Sequence, residues 1–212
     1  GNQDTFAVDG NKILWTWGLG TTGQLGTGAA SRSWPVPLKS SASVNSPVQV
    51  GTGSWTLVAM GNDWGMATST AGTLYSWGTN QYGQNGNGFI GIPEYSPAFI
   101  NSGMSDIGAG EFFGLAVKTT GGLYTWGRNN SGQLGKNNTT NSADAFGGRV
   151  GTSSWTVVPK GLGGSTGSAI RSDNTLWTWG LGSSGQIGNN AIVTLSSPTL
   201  VRGTLVSSPV LV

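Results

Sequence analysis

The sequence predicts an all-β fold: a β-propeller built of four antiparallel blades. Three observations carry this reading. One motif occurs four times at intervals of about 50 residues. The strand inside each copy is apolar or small on both faces, as in a sheet stacked between sheets. No stretch of helical length shows a 3.6-residue apolar period.

The motif copies run Leu14–Gly26, Leu74–Gly86, Leu123–Gly135 and Leu176–Gly188. Each opens on a Leu-aromatic-Ser/Thr-Trp-Gly run. In Leu74-Tyr75-Ser76-Trp77, residues 74 and 76 face one way and 75 and 77 the other, because side chains alternate along a strand. Before each copy stands a pair of turn formers expected to close a two-residue hairpin: Asp9-Gly10, Ala71-Gly72, Gly121-Gly122 and Asp173-Asn174. A strand is expected before each turn, over Thr5–Val8, Gly65–Thr68, Gly114–Val117 and Ser168–Arg171. A further strand is expected over Trp55–Met60 and Trp155–Val158, and a fourth near Pro47–Val50, ahead of it. After each strand of the motif, Gly-Gln-x-Gly supplies glycines for a reversal at positive φ.

The two ends are in complementary phase. Gly1–Gly18 aligns with Gly61–Gly78 without a gap, so the chain opens inside a unit. Ser197–Gly203 resembles Ser46–Gly51, so a unit starts at the other end. Tail and head together complete one blade. The expected blades are 1–45 plus 197–212, 46–95, 96–145 and 146–196. Three readings are open: the tail closes a ring within one chain, it completes the head of a neighbouring copy, or flanking repeats exist. The start at Gly1 rather than Met is read as processing or as a segment of something longer.

The run Leu-Tyr-x-Trp-Gly-x-Asn-x-x-Gly-Gln-Leu-Gly, seen at Leu123–Gly135, resembles the regulator of chromosome condensation repeat. The resemblance spans nearly the whole chain and implies a β-propeller; the best-known members have seven blades, and four repeats are present here. It also implies possible roles: nucleotide exchange on a small GTPase, or inhibition of an enzyme by docked loops. The light-sensing Gly-Trp-Arg-His-Thr signature of the family is absent, with Gly61-Asn62-Asp63-Trp64 the nearest run.

Composition narrows the chemistry. There are 38 glycines without a three-residue period, which excludes a collagen-like rod. Ten Trp residues and 36% hydrophobic content suffice for a core. Only 8% of residues are charged, against roughly 25% in ordinary domains, so Ser, Thr, Asn, Gln and Gly must form the surface. The net charge is +2, and the Lys and Arg residues are scattered, so no basic stripe exists for nucleic acid. No apolar run approaches the about 18 residues of a membrane-spanning helix. His and Cys are absent, which removes the commonest general base, the thiolate nucleophile and Cys/His metal sites. No carboxylate spacing suggests a catalytic pair. Neither enzymatic activity, cofactor nor metal is expected. Gly18-Leu19-Gly20 and Gly180-Leu181-Gly182 are repeat glycines rather than a dinucleotide loop, because no helix follows them.

The motif Trp residues are assigned to blade core. Recognition is expected instead in the loops that break the repeat, where aromatic and Arg residues sit on a rigid scaffold. The candidates are Arg32 and Trp34 in the first loop, Phe89, Ile90 and Tyr95 in the second, and Phe146 and Arg149 in the third. The functional expectation is a non-catalytic scaffold that binds a protein partner or copies of itself in an oligomer or larger assembly. A low-charge surface without Cys suits a structural or recognition component of a virion or other extracellular assembly.

Overall fold

A computed structural model describes residues 3–28 and 43–201. Among these residues there are fourteen strands and no helix. The strands are β1 Asp4–Val8, β2 Leu14–Gly18, β3 Val44–Gln49, β4 Trp55–Met60, β5 Trp64–Ser69, β6 Leu74–Gly78, β7 Glu94–Asn101, β8 Met104–Ala109, β9 Phe113–Lys118, β10 Leu123–Gly127, β11 Trp155–Val157, β12 Thr166–Arg171, β13 Leu176–Gly180 and β14 Leu195–Leu200. They form four antiparallel sheets, β1-β2-β3, β4-β5-β6-β7, β8-β9-β10 and β11-β12-β13-β14. The third sheet is extended by isolated bridges, Gly127 with Ser142 and Tyr124 with Arg149, which run where an outer strand stands in its neighbours.

Two local readings differ from expectation. The strand near Pro47–Val50 pairs with β2, with Trp15 opposite Gln49, and so closes the first sheet rather than opening the second. Sheet boundaries therefore fall in the Gly-rich connections after Val50 and Val150, where the chain crosses to the next sheet. The four hairpins are also one residue longer than two-residue turns. The bonds Asp9 N to Ile13 O, Ser69 N to Thr73 O, Lys118 N to Gly122 O and Arg171 N to Thr175 O each enclose three residues. Their last residues, Lys12, Gly72, Gly121 and Asn174, all have positive φ, the geometry of a type I turn followed by a left-handed residue.

The core lies between sheets. Phe6, Leu14, Trp55, Ala67 and Trp77 join the first sheet to the second. Trp64, Met66, Leu74, Ile107 and Trp126 join the second to the third. Phe113, Leu115, Leu123, Trp155 and Trp179 join the third to the fourth. This explains strands buried on both faces: in β6 and β10 every residue but the tyrosine is buried.

One hydrogen bond recurs at every boundary. The indole N–H of Trp77 donates to the Gln24 carbonyl at 2.9 Å, that of Trp126 to Gln84 at 2.7 Å, and that of Trp179 to Gln133 at 2.7 Å. In each case the acceptor belongs to the Gly-Gln turn of the preceding sheet. The Gln side chain fixes that turn by accepting the backbone N–H two residues earlier, from Thr22, Tyr82 and Ser131, at 2.8 Å each. The glycines let neighbours close in. A Cβ on Gly23, Gly83 or Gly132 would lie 2.5 to 2.8 Å from the backbone of Glu94, Ala143 or Ser196 in the next sheet's outer segment.

Candidate recognition surface

The connections from inner to second strand and from third to outer strand lie on one face. Backbone bonds tie the two sets together there: Thr79 N donates to Asp63 O and Arg128 N to Phe112 O. The segment 86–93 between β6 and β7 stands on this face and carries Phe89, Ile90 and Ile92, which are 60%, 57% and 55% exposed. Ordinary folding does not explain three large apolar side chains held in water on one short loop.

The loop is braced from beneath. Asn80 is buried, and its amide donates to the Phe89 carbonyl at 3.0 Å while its Oδ1 accepts the Asn85 N–H at 3.0 Å. Asn87 Oδ1 accepts the Phe89 N–H at 3.2 Å, and its amide donates to Glu94 at 3.0 Å. Gly91 N also bonds to the Asn80 carbonyl. The apolar tips therefore ride on a fixed backbone and lose little freedom on binding.

Beside the loop lies a cleft of about 460 Å³ lined by Asp63, Asn80, Pro93, Tyr95 and Phe112, among others. Asp63 is the one charged side chain among its described lining residues. Its φ of 57° is left-handed. Phe112, at the same place in the next sheet, has no positive φ, so the repeat does not demand that conformation. Burial raises the pKa of the nearby Asp4 carboxyl, and the charge of Asp63 adds to that effect. The cleft thus has aromatic walls and an acidic pole, a setting suited to a basic side chain. Phe112, in its wall, also meets Arg128, whose guanidinium lies 5.7 Å from that ring and 5.3 Å from the ring of Tyr82.

Of the sequence candidates, Phe89, Ile90 and Tyr95 come together here. Arg32 and Trp34 lie outside the described residues, as do residues 202–212, on which the joining of tail and head depends. Phe146 is half-buried, 4.9 Å from the Tyr124 ring, with Lys118 above it at 4.8 Å. Arg149 donates to the Ser153 carbonyl at 2.7 Å, on the opposite face. Phe146 is accounted for by contacts within its own sheet, whereas Arg149 is exposed and lines a separate cleft with Lys136, Trp155 and Arg171. Ile92, Asp63 and the Tyr82–Arg128–Phe112 cluster join the site only in the fold. Ile92 was legible as an apolar residue in a polar loop, whereas the other two need the folded juxtaposition of separate sheets.

These sheets and joints define a class: a propeller-type repeat array with its variable loops on one face. The chain belongs to the regulator of chromosome condensation (RCC1) repeat family, whose models match residues 13–67, 104–133 and 120–165. It is 30% identical over 206 residues to the ultraviolet-B receptor UVR8 of Arabidopsis thaliana, covering 95% of this chain and 44% of that protein. Among solved structures it is similar to human WBSCR16, with a TM-score of 0.79 at 21% identity, covering 98% of this chain and 52% of that one. It is also similar to yeast RCC1 (Prp20) bound to Kap60, with a TM-score of 0.75 at 21% identity, covering 96% and 48%. The chain therefore spans about half the length of the relatives it matches.

Proposed function

We propose that this chain is a non-catalytic scaffold that binds a protein partner through the face bearing Phe89, Ile90 and Ile92. The observation that carries this reading is their joint exposure on a loop whose backbone is pinned by Asn80 and Asn87. The adjoining cleft, with Asp63 at its pole and Tyr95 and Phe112 in its walls, suits a partner segment that carries a basic residue beside apolar ones. Support comes from family structures described as complexes or binding studies of proteins: yeast RCC1 with Kap60, and Prp20p with Gsp1p and histones. A low-charge surface of Ser, Thr, Asn, Gln and Gly suits a virion or extracellular setting.

The test compares recovery of cross-linked partners from source extract by the wild type and by a Phe89→Ala, Ile90→Ala, Ile92→Ala variant. The expected result is loss of the same partner bands with an unchanged unfolding midpoint. Equal recovery by both proteins would refute the surface.

A further inference from the structure

Where the third sheet meets the fourth, a cleft of about 450 Å³ opens, lined among others by Lys136, Arg149, Trp155, Arg171 and Pro198. No carboxylate stands among its described lining residues. None of its three cations forms an ion pair within the described residues. Asp144 and Asp173 act electrostatically on Lys136 and Arg171, but neither lines the cleft. Burial lowers the pKa of Lys136, and the opposing charge of Asp144 does not restore it.

The repeat does not require these charges. Each joint offers the same three places. Lys136 follows the last glycine of the motif, Arg149 pairs with the motif aromatic Tyr124, and Arg171 donates the N–H that closes the next sheet's hairpin. Between the first and second sheets these places hold Thr27, Gln49 and Ser69. Between the second and third they hold Asn87, Phe99 and Lys118. Only the last joint is cationic at all three.

The donors are held ready. The Arg171 guanidinium lies 3.5 Å from the centroid of the Trp177 ring and 5.1 Å from that of Trp155, contacts that orient it without using its N–H groups. Its Nε is buried and has no hydrogen-bond partner. The indole N–H of Trp155, in the same wall, is also buried without an acceptor. Trp55, the counterpart of Trp155, shares that orphan donor but has Ser69 at the place of Arg171, so the Arg171 Nε sets this joint apart. Arg149 donates to the Ser153 carbonyl at 2.7 Å and the Thr152 carbonyl at 3.3 Å through one nitrogen. That anchors the side chain and leaves its other nitrogens open among the described residues. Buried donors without acceptors are rare in folded proteins, and an anion in the cleft would supply the acceptor.

We propose that this cleft binds the phosphate group of a small organic phosphate. Two guanidinium forks and an ammonium are the donor set that a tetrahedral oxyanion takes. Three positive charges suit a phosphate monoester, which carries about two negative ones near neutrality. The volume falls within the roughly 300–1,000 Å³ of small-molecule sites, which leaves room for the group that carries the phosphate. Three of the chain's ten cations share one recess and the others are scattered, so the site fits a single phosphate and not a nucleic-acid backbone. The cleft is independent of the Phe89 loop.

Calorimetric titration of the full 212-residue chain with phenyl phosphate, inorganic phosphate and phenol tests it. Phenyl phosphate should bind saturably, inorganic phosphate about tenfold more weakly at the same site, and phenol not at all. Lys136→Gln and Arg149→Gln should each weaken the ester about tenfold, the loss of one charge-assisted contact, and neither should lower the unfolding midpoint. Lys12→Gln removes the same charge from the first hairpin and should bind as the wild type does. Absence of saturable binding by either anion would overturn the proposal. So would a Lys12→Gln variant weakened as much as the other two, or ester binding that survives both cleft substitutions. Inorganic phosphate bound as tightly as the ester would assign the cleft to the free ion and overturn the organic ligand.

Discussion

The indole N–H of Trp126 lies 2.7 Å from the main-chain carbonyl of Gln84, across the boundary between two sheets. The donor and the acceptor are both buried. Losing the donor strands a carbonyl in an apolar joint, which costs about 1–3 kcal/mol. Trp126→Phe should lower stability by that amount in urea unfolding. Trp17→Phe, at a Trp whose indole N–H meets no carbonyl among the described residues, should cost less. Equal losses at the two positions would show that ring volume and not the hydrogen bond holds the joint.

The glycine two residues beyond that Gln makes the joint narrow. A Cβ on Gly86 would lie 2.7 Å from both Ala145 Cβ and Trp126 Nε1. Gly51 has a similar positive φ but nothing within 4 Å. Gly51→Ala should cost only backbone strain, about 1 kcal/mol. Gly86→Ala adds overpacking and should cost about 2–4 kcal/mol. Comparable denaturation midpoints for the two variants would contradict a tight joint.

Asn80 links stability to recognition. Its side chain holds the Phe89 carbonyl and the Asn85 N–H without itself being exposed. Asn80→Ala should lower stability by about 1–3 kcal/mol. It should also speed amide exchange at residues 87–91 and reduce partner recovery, although the apolar tips are intact. Full partner recovery by this variant would mean that the loop does not need its brace.

The first hairpin reports on pH. Asp9 accepts the indole N–H of Trp15 and the backbone N–H groups of Ile13 and Asn11. The Trp15 bond and then the backbone bonds hold its carboxyl below the ordinary value of 3.8. A folded-state pKa that is lowered contributes stability above the unfolded value, and that contribution is lost as pH falls through the folded one. Asp9→Ala should therefore melt below the wild type at neutral pH. The gap should narrow as pH drops below 3.8. A gap that stays constant into strong acid would assign the effect to turn shape alone.

The motif was legible because its positions recur: Leu74, Ser76 and Trp77 announce a strand buried on both sides, and the structure places them so. The second strand of every sheet was found to within two residues, since glycines and turn formers punctuate it. Sheet membership was harder. The segment near Pro47–Val50 reads as the start of the second unit because it precedes the strand at Trp55, and only its pairing with Trp15 and Thr16 assigns it to the first sheet. The joints themselves were invisible, because their acceptors are main-chain carbonyls and carry no residue signature. The loop candidates divided on burial. Phe89 and Phe146 look alike in sequence, but one projects into water and the other lies between Tyr124 and Lys118.

A joint whose donor, acceptor and spacer glycine are supplied by every repeat is indifferent to how many repeats there are. Excising an internal blade, or duplicating one, leaves each internal Trp facing the Gln carbonyl of the sheet before it. Loss of part of a blade does not. The architecture therefore tolerates gain or loss of whole internal repeats without compensating substitutions, while on the loop face the joint fixes only the Gly-Gln turn and leaves the apolar tips beyond it free to differ from blade to blade.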